Sequence, residues 1–262
     1  GHSLLHSFQF LHDEIITKGT WGVKIYFLVG YFKKLLTILF FCSIIIHNLA
    51  EKYTMEYEIK ELQNKTPYAY ITDLYSEEEL SEIFSELDYL QSRPSIWLDP
   101  EASGSAMSPE NTPLKENRGV WMNHLYKQEK VSAILSHNMK IYSTGLAQKI
   151  AIEHSWFEYL ILNSRFSTLL SYYENNNHYK PHRDHAVLTT LTWLYKEPKK
   201  FEGGDLTLNQ EAEIPCKNNS MLIFPSTCVH EVSPVLFKDT TNKGMGRYTI
   251  TTFVTLQNSQ SD

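Results

Sequence analysis

The sequence predicts an α+β protein whose core is mainly β. Three features of the chain favour this fold class. A helical pattern with its own capping residues occupies 77–90, ahead of most of the strand-like sequence. The segment from Tyr179 to Tyr195 is rich in Thr, Leu, Val, Trp and Tyr and contains no Gly, which is typical of extended chain. Strand-like sequence continues to Leu256, and 262 residues, 42% of them hydrophobic, are enough for one well-packed domain with appendages.

The first 54 residues differ from the rest because they contain no Met and no Pro. An apolar run from Leu35 to Ile46 follows two lysines, and joining it to the preceding apolar residues gives a stretch, 25–46, of about membrane-spanning length with both lysines inside it. The stretch is either a membrane anchor, a removable leader or part of a translated upstream extension that ends before Met55. We favour the extension, and predict an apolar leader at 1–54 and a catalytic domain at 55–262.

Charge and cysteine content narrow the class of partner and the compartment. The formal net charge of −6 offers no general attraction to phosphate backbones, so nucleic acid is not an expected partner. The cysteines, Cys42, Cys216 and Cys228, are odd in number and lack paired spacing, which argues against a disulfide framework. A reducing compartment, the cytoplasm, is therefore expected, with membrane attachment only through residues 25–46.

The domain is predicted to begin with a strand at 69–72 and a helix from Glu77 to Leu90. Ser76 and Glu79 have the spacing of a capping box at the start of this helix. Apolar residues at helical spacing would pack one face of the helix on the β core. These residues are Leu80, Ile83, Phe84, Leu87 and Leu90.

A loop and two further helices separate this helix from the β-rich part of the chain. Residues 92–117 contain four prolines and several serines, a composition that predicts a mobile loop, and we interpret this loop as a lid. Residues 131–137 and 140–152 are then predicted to form two helices behind the sheet. Gly145 weakens the second of them.

Two candidate metal ligands lie in the extended segment at 179–195. Because side chains of a strand alternate between faces, His182 and Asp184 project together, roughly 6 to 7 Å apart, while Arg183 and His185 point away. A second imidazole, His230, from a distant strand would complete two His and one carboxylate on one face of a metal. That ligand set is expected of non-haem Fe(II) oxygenases.

The sequence around these residues is a more specific signal of a metal site than a His-x-Asp motif alone. Four motifs occur in order: Tyr173-Glu-Asn-Asn-Asn-His-Tyr179-Lys-Pro-His182-Arg-Asp184; Phe201-Glu-Gly-Gly-Asp-Leu-Thr-Leu208; Met221-Leu-Ile-Phe-Pro-Ser226 followed by His230-Glu-Val-Ser-Pro-Val235; and Gly246-Arg247-Tyr-Thr249-Ile-Thr-Thr-Phe253. Together they resemble the prolyl 4-hydroxylase-like branch of the 2-oxoglutarate/Fe(II) dioxygenases. Asn176 stands where that family has Gly, and Asn tolerates a positive φ better than most residues.

The resemblance implies a double-stranded β-helix, or jelly roll, with supporting helices on one sheet. It implies that His182, Asp184 and His230 bind Fe(II), that 2-oxoglutarate is the cosubstrate and O₂ the oxidant, and it allows ascorbate as a further cofactor. Arg247 takes the place of the family's basic residue, which pairs with the far carboxylate of 2-oxoglutarate. A buried carboxylate needs such a partner, and a guanidinium offers it two parallel N–H groups.

Three further residues are predicted to line the cosubstrate pocket. Thr249 lies two positions after Arg247 and on the same face, and Tyr173 would add a phenolic hydrogen bond. Trp193 corresponds to the family's pocket aromatic, although strict alternation from Asp184 would turn Thr190 and Thr192 inward instead. A bulge between 185 and 189 would turn Trp193 inward, so both arrangements remain open.

The expected reaction is hydroxylation of an unactivated C–H bond with release of succinate and CO₂. Asp184 favours hydroxylation, because related halogenases lack the carboxylate ligand. The resemblance favours a prolyl or lysyl side chain of a protein or peptide, with a free amino acid or other small molecule as the alternative. The nucleic-acid demethylating branch carries a second Arg where this chain has Phe253. A different class, a cupin-like metal-binding protein, would be expected to carry His-x-His and a later Glu rather than His-x-Asp and a later Arg. A third alternative is an inactive oxygenase-fold interaction module, against which the intact ligands and Arg247 count.

Overall fold

The computed structural model describes residues 55–143, 145–162, 164–238 and 243–256. The leader predicted at 1–54 lies outside these ranges. The strands are β1 (Glu56–Glu61), β2 (Pro67–Thr72), β3 (Arg118–Trp121), β4 (Ser164–Tyr173), β5 (Tyr179–His182), β6 (Leu188–Leu194), β7 (Phe201–Gly203), β8 (Leu206–Leu208), β9 (Ala212–Ile214), β10 (Ser220–Pro225), β11 (His230–Val232), β12 (Val235–Phe237) and β13 (Arg247–Leu256). The helices are α1 (Glu77–Gln91), α2 (Met122–Leu125), α3 (Ala133–Ser143) and α4 (Gly145–Glu153), with 3₁₀ turns at Pro94–Ile96, Glu129–Val131 and Ser155–Leu160.

The strands form a large and a small antiparallel sheet and one separate strand pair. The large sheet has seven strands in the order β1-β2-β10-β6-β13-β4-β3, and the small sheet has four in the order β5-β11-β8-β9. Strands β12 and β7 pair with each other. Because neighbours in the large sheet are distant in sequence, the chain passes repeatedly between the sheets, as it does in a jelly roll.

Two apolar layers cover opposite faces of the large sheet. On β6, Leu188 and Leu194 pack in the layer that also contains the buried residues of α1, α3 and α4. Leu191 and Trp193, on the opposite face, pack with residues of the small sheet such as Leu206 and Leu208. The period-two alternation of the strands therefore places helices outside one sheet and a second core between the sheets, the jelly roll that the sequence predicts.

Helix α1 confirms the predicted capping box. The Glu79 backbone N–H donates to Ser76 Oγ at 3.1 Å, and the Ser76 N–H donates to Glu79 Oε2 at 3.0 Å. Ile83, Leu87 and Leu90 are fully buried, whereas Leu80 and Phe84 are partly buried at the edge of the same layer. The helix extends one residue beyond the predicted end, to Gln91.

The boundaries predicted for the next two helices are wrong. Helix α3 begins at Ala133 because Ser132 caps it, accepting the Leu135 N–H on its Oγ at 3.1 Å, and Val131 lies before it, 69% exposed. The helix then runs through Lys140 to Ser143, and Gly145 begins α4 rather than weakening a continuous helix. Among the helices of the described ranges, none has the length and apolar character needed to span a membrane.

Strand structure is interrupted in the middle of the predicted extended segment at 179–195. Strand β5 ends at His182 and belongs to the small sheet, whereas β6 begins at Leu188 and belongs to the large sheet. The chain bends between them, held by a hydrogen bond from the Asp184 N–H to the Ser226 carbonyl at 3.1 Å. The segment predicted as extended chain therefore consists of two strands, because its two halves pair with different sheets.

The segment predicted as a loop, 92–117, contains one 3₁₀ turn and otherwise no helix or named strand. Isolated bridges join Leu98 to Gly119 and Lys115 to Tyr179. Ser103 and Lys115 are buried, so parts of the loop pack against the core, while residues 109–112 are exposed.

Candidate active site

Paired strands bring the two predicted histidine ligands together. His182 ends β5 and His230 begins β11, and the register of this antiparallel pair places them directly opposite each other. Their ring centroids lie 4.1 Å apart. The preceding turn depends on Asn176, whose φ of 65° confirms that this Asn adopts the left-handed conformation expected of the family's Gly. The turn and strand pairing thus fix two imidazoles from segments 48 positions apart.

Each imidazole presents the same nitrogen to the space between the strands. His182 Nδ1 donates to the Lys180 carbonyl at 2.8 Å, and His230 Nδ1 donates to the Cys228 carbonyl at 3.2 Å. A carbonyl only accepts, so the proton resides on Nδ1 and Nε2 is left as a metal ligand. Burial, and then the neighbouring His230, lowers the pKa of His182 to about 3, which keeps this imidazole neutral at physiological pH.

Asp184 completes the cluster. Its Oδ1 lies 3.8 Å from His182 Nε2, and its Oδ2 lies 3.5 Å from His230 Nε2. One ligand atom from each of the three residues falls within 4.8 Å of the others. Although Asp184 lies beyond the end of β5, its side chain still shares a side with His182, whereas His185 is exposed and lies outside the cluster.

Thr189 orients this carboxylate. Its hydroxyl donates to Asp184 Oδ2 at 2.7 Å and lies 2.9 Å from Ser226 Oγ. A ligating carboxylate held by a hydroxyl donor is typical of protein metal sites. Sequence reasoning missed Thr189, because a Thr in a β-rich segment carries no signal until the bend at 183–187 places it beside Asp184.

Arg247 is fully buried and lies in the same inner pocket as the three candidate ligands. Its Nη1 donates to Thr249 Oγ1 at 2.6 Å, which confirms that the two residues share a face. Its Nε and Nη2 have no hydrogen-bond partner, and no carboxylate of the described residues lies within ion-pairing distance. A buried guanidinium with two unpaired donors is costly unless an anion binds there.

Aromatic rings and a glycine enclose the guanidinium. Its central carbon lies 4.5 Å from the ring centroid of Tyr173 and 6.0 Å from that of Trp193. Burial raises the pKa of Tyr173, and the charge of Arg247 opposes this rise. Gly204, with a φ of 74°, leaves room for the arginine side chain, since a Cβ there would lie 2.9 Å from Arg247 Cδ.

The bend between β5 and β6 turns Trp193 toward the core between the sheets, but Trp193 does not line the inner pocket. Thr190 faces the helices and lies 2.6 Å from the Tyr142 hydroxyl, so strict alternation from Asp184 does not hold. Trp193 faces the core between the sheets on the side of Arg247, and its indole N–H has no partner. The interruption postulated between 185 and 189 therefore exists, as a bend between two strands rather than a bulge within one.

Two connected spaces surround the site. The inner pocket, about 50 Å³, is lined by the three candidate ligands, Arg247 and Lys115. An outer groove of about 690 Å³ is lined by Trp121, His124, Phe253 and other residues. Asp184 and Tyr179 line both, so the metal end of the inner pocket faces the groove. His178 lies in the turn and lines neither space, as predicted.

These residues fit a metal and a dicarboxylate. Two Nε2 atoms and one carboxylate converge, with their second atoms already hydrogen-bonded, and form the facial two-His, one-carboxylate set of non-haem Fe(II) sites. The unpaired Nε and Nη2 of Arg247 fit a carboxylate at the other end of the inner pocket. Lys115, which reaches the same pocket from the loop at 92–117, was not predicted from the sequence.

Comparison with known proteins supports the same chemistry. The 2OG-Fe(II) oxygenase superfamily matches residues 168–255, which include all four residues central to the site. A PKHD-type hydroxylase of Shewanella baltica (strain OS155) is 23% identical over 180 residues, or 63% of this chain and 71% of that protein. A prolyl-4-hydroxylase of Pseudomonas putida aligns with a TM-score of 0.50 and 14% identity over 74% of this chain and 95% of its own.

A second solved structure is a prolyl hydroxylase of Trichoplax adhaerens in complex with a peptide fragment from the oxygen degradation domain of hypoxia inducible factor. It aligns with a TM-score of 0.49 and 14% identity over 73% of this chain and 84% of its own. The jelly roll, the His-Asp-His cluster and the family match coincide on one segment, and together they support a 2OG-Fe(II) oxygenase similar to the prolyl 4-hydroxylases.

Proposed function

We propose that the protein hydroxylates an unactivated C–H bond, that of a prolyl or lysyl side chain in a protein or peptide, with conversion of 2-oxoglutarate to succinate and CO₂. One observation carries the proposal: a buried Arg247 with two unpaired donors lies in the same small pocket as the convergent His182, Asp184 and His230. A metal-binding cluster alone would not need a buried cation. A dicarboxylate cosubstrate with one end at the metal does.

The site residues have different roles at the two ends of the inner pocket: one set would bind the metal and the other the cosubstrate. His182 and His230 offer Nε2 and Asp184 offers one oxygen, so they would hold Fe(II) on one face and leave the other face toward the groove. Bound Fe(II), with 2-oxoglutarate and O₂, supplies an oxidant strong enough for an unactivated C–H bond. Arg247, Thr249 and Tyr173 would bind and orient the far carboxylate, and the buried wall around them excludes water.

The groove supports a side chain presented from a larger molecule. It is wide compared with the inner pocket, and Trp121 lies 5.9 Å, centroid to centroid, from both His124 and Phe253 on its wall. Aromatic surfaces of this kind suit the apolar ring of proline or the stem of lysine. The names of similar proteins, a PKHD-type hydroxylase and a prolyl-4-hydroxylase, support the same substrate class.

Anaerobic titration with Fe(II) and 2-oxoglutarate tests the proposal without a substrate. We expect the weak visible metal-to-ligand charge-transfer band of a chelated 2-oxo acid, saturating at one cosubstrate per protein. Absence of the band at saturating metal would instead indicate a metal-binding or interaction module. In air, proline- and lysine-containing peptides should gain one oxygen atom with matching succinate release, whereas turnover with free amino acids alone would indicate a small-molecule hydroxylase.

A further inference from the structure

Lys115 is the second buried cation of the inner pocket. It lies near the end of the loop at 92–117 and is 2% exposed. Its backbone forms a bridge with Tyr179, and its side chain lines the pocket together with the candidate metal ligands and Arg247. Neither the sequence motifs nor the family match, which covers 168–255, includes this residue.

The ammonium group of Lys115 is incompletely paired. Of its three donors, one bonds to the Ser103 carbonyl at 3.0 Å. No carboxylate in the described ranges lies within 4.0 Å of Nζ. Burial lowers the pKa of Lys115 to about 8, against an opposing influence of Asp184, so the charged form still predominates at neutral pH. A buried cation with spare donors is stabilised by a nearby anion.

Lys115 and Arg247 act on different ends of the pocket. Lys115 approaches the ring of Tyr179, 6.0 Å from its centroid, and that ring stacks on His182 at 3.5 Å. The charge of Lys115 contributes to the lowered pKa of His182, and the charge of Asp184 opposes the lowering of the pKa of Lys115. The charge of Arg247, in contrast, opposes the rise in the pKa of Tyr173 and of Cys216. One cation therefore lies at the metal end of the pocket and the other at the far end.

We propose that Lys115 binds the carboxylate at the metal end of the 2-oxo acid, so that the two buried cations hold the two carboxylates of 2-oxoglutarate. This inference rests on the proposed function and assigns to the loop at 92–117 a direct part in cosubstrate binding. The ligand group is a carboxylate next to a chelating carbonyl, which any 2-oxo acid carries. Arg247, in contrast, would recognise only acids with a second carboxylate.

The experiment measures binding of two acids to the full chain loaded with Mn(II), which avoids turnover. The acids are 2-oxoglutarate and 2-oxopentanoate, which has the same chain length but no far carboxylate. Calorimetry compares wild type with Lys115→Met, Arg247→Met and a control, Lys127→Met, which removes an exposed lysine that lines neither space. Met keeps an unbranched, flexible side chain at each position and removes the charge.

Lys115→Met should weaken both acids by a similar factor, on the order of 10- to 100-fold. Arg247→Met should weaken 2-oxoglutarate alone and abolish the preference of the protein for it over 2-oxopentanoate. The control should bind as wild type does. Mn(II) affinity should stay the same or rise in Lys115→Met, because a cation near Asp184 is removed, whereas a misfolded pocket would lose metal affinity and the preference for 2-oxoglutarate together.

The possible results separate this inference from the proposed function. If wild type with Mn(II) does not bind 2-oxoglutarate, the proposed function fails. If wild type binds both acids and Lys115→Met binds them equally well, the assignment of Lys115 is overturned while the proposed function stands. Weakening of 2-oxoglutarate alone by Lys115→Met would also overturn it, since it would place Lys115 at the far carboxylate.

Discussion

Asp184 supplies the only negative charge among the three candidate ligands, so removing it tests the metal site most directly. Asp184→Ala should abolish succinate formation while the fold remains intact, because one of only three protein ligands is lost. His230→Ala should do the same. His178→Ala is the matched control, since His178 lies in the adjacent turn and lines neither pocket. Wild-type turnover by the Asp184 variant would show that another residue completes the site.

Arg247 should govern the cosubstrate and not the metal. We expect its unpaired Nε and Nη2 to pair with the far carboxylate of 2-oxoglutarate. Arg247→Met would leave that carboxylate buried without a partner, at a cost of about 3 to 5 kcal/mol. The 2-oxoglutarate concentration for half-maximal succinate formation should rise on the order of 100-fold or more. Fe(II) affinity, measured without cosubstrate, should change little. Equal loss of metal and cosubstrate affinity would contradict this role.

Thr189 should act on the metal through Asp184. Thr189→Val keeps the shape of the side chain but removes the hydroxyl that donates to Asp184 Oδ2, so the carboxylate loses its fixed orientation. Loss of such a partner lowers metal affinity about 10- to 100-fold. Thr192→Val, on the same strand, is the control for the substitution itself, because position 192 faces the helices beside Tyr75. If metal titrations of the two variants give identical curves, Thr189 does not contribute to metal binding.

At the scale of elements, the loop at 92–117 forms one wall of the outer groove. Gly104, Ser105, Ala106 and Met107 line the groove, and the Ala106 N–H donates to the Tyr179 hydroxyl at 2.8 Å. We therefore predict that this loop closes over bound substrate. Limited proteolysis should cut the exposed residues 109–112 first in the apoprotein, and protection should require metal, cosubstrate and substrate together.

The hydrogen bond from the Ala106 N–H to the Tyr179 hydroxyl offers a way to change how fast the loop is cleaved. Tyr179→Phe keeps the ring that stacks on His182 but removes the hydroxyl that anchors the loop, so cleavage of the apoprotein should be faster. If the loop of the unliganded wild-type protein is cleaved more slowly than other exposed segments, the prediction that it acts as a lid is wrong.

Elements were predictable from sequence where their determinants are local. The start of α1 follows from Ser76 and Glu79, three positions apart, and both bonds of the capping box are present. The start of α3 was misplaced because several polar residues precede it, and only packing selects Ser132 as the cap. The bend between β5 and β6 was not predictable from propensity, since both halves favour strands and only their separate partners divide them.

At the scale of the whole molecule, the site residues also divide into those that local sequence predicts and those that depend on contacts between distant segments. His182, Asp184, His230 and Arg247 were predictable because they lie in motifs with fixed spacing. Lys115 was not, because it reaches the pocket only through the contact of its loop with Tyr179, a residue more than sixty positions away. One lysine in a polar, proline-rich stretch gives no signal of burial, so contacts between distant segments had to be known first.

The domain boundary that we predict at Met55 gives the last prediction. The two apolar layers of the described chain are built from buried residues between Leu62 and Val254, with Met55, Tyr57 and Ile59 packed at the edge of one layer. All four central site residues lie after position 181. A chain that begins at Met55 should therefore keep the barrel, melt close to the temperature of the full chain and convert 2-oxoglutarate at the same rate.

The opposite result would follow if the apolar run Leu35 to Ile46, outside the described residues, packs as a helix against the domain. Its removal would expose the surface it covers, at roughly 1.5 to 3 kcal/mol for each large side chain. A few such side chains equal the whole stability of an ordinary domain, about 5 to 15 kcal/mol. Thermal melting of the two chains distinguishes the cases, because a shortened protein that aggregates or melts far below the full chain would make the leader part of the fold.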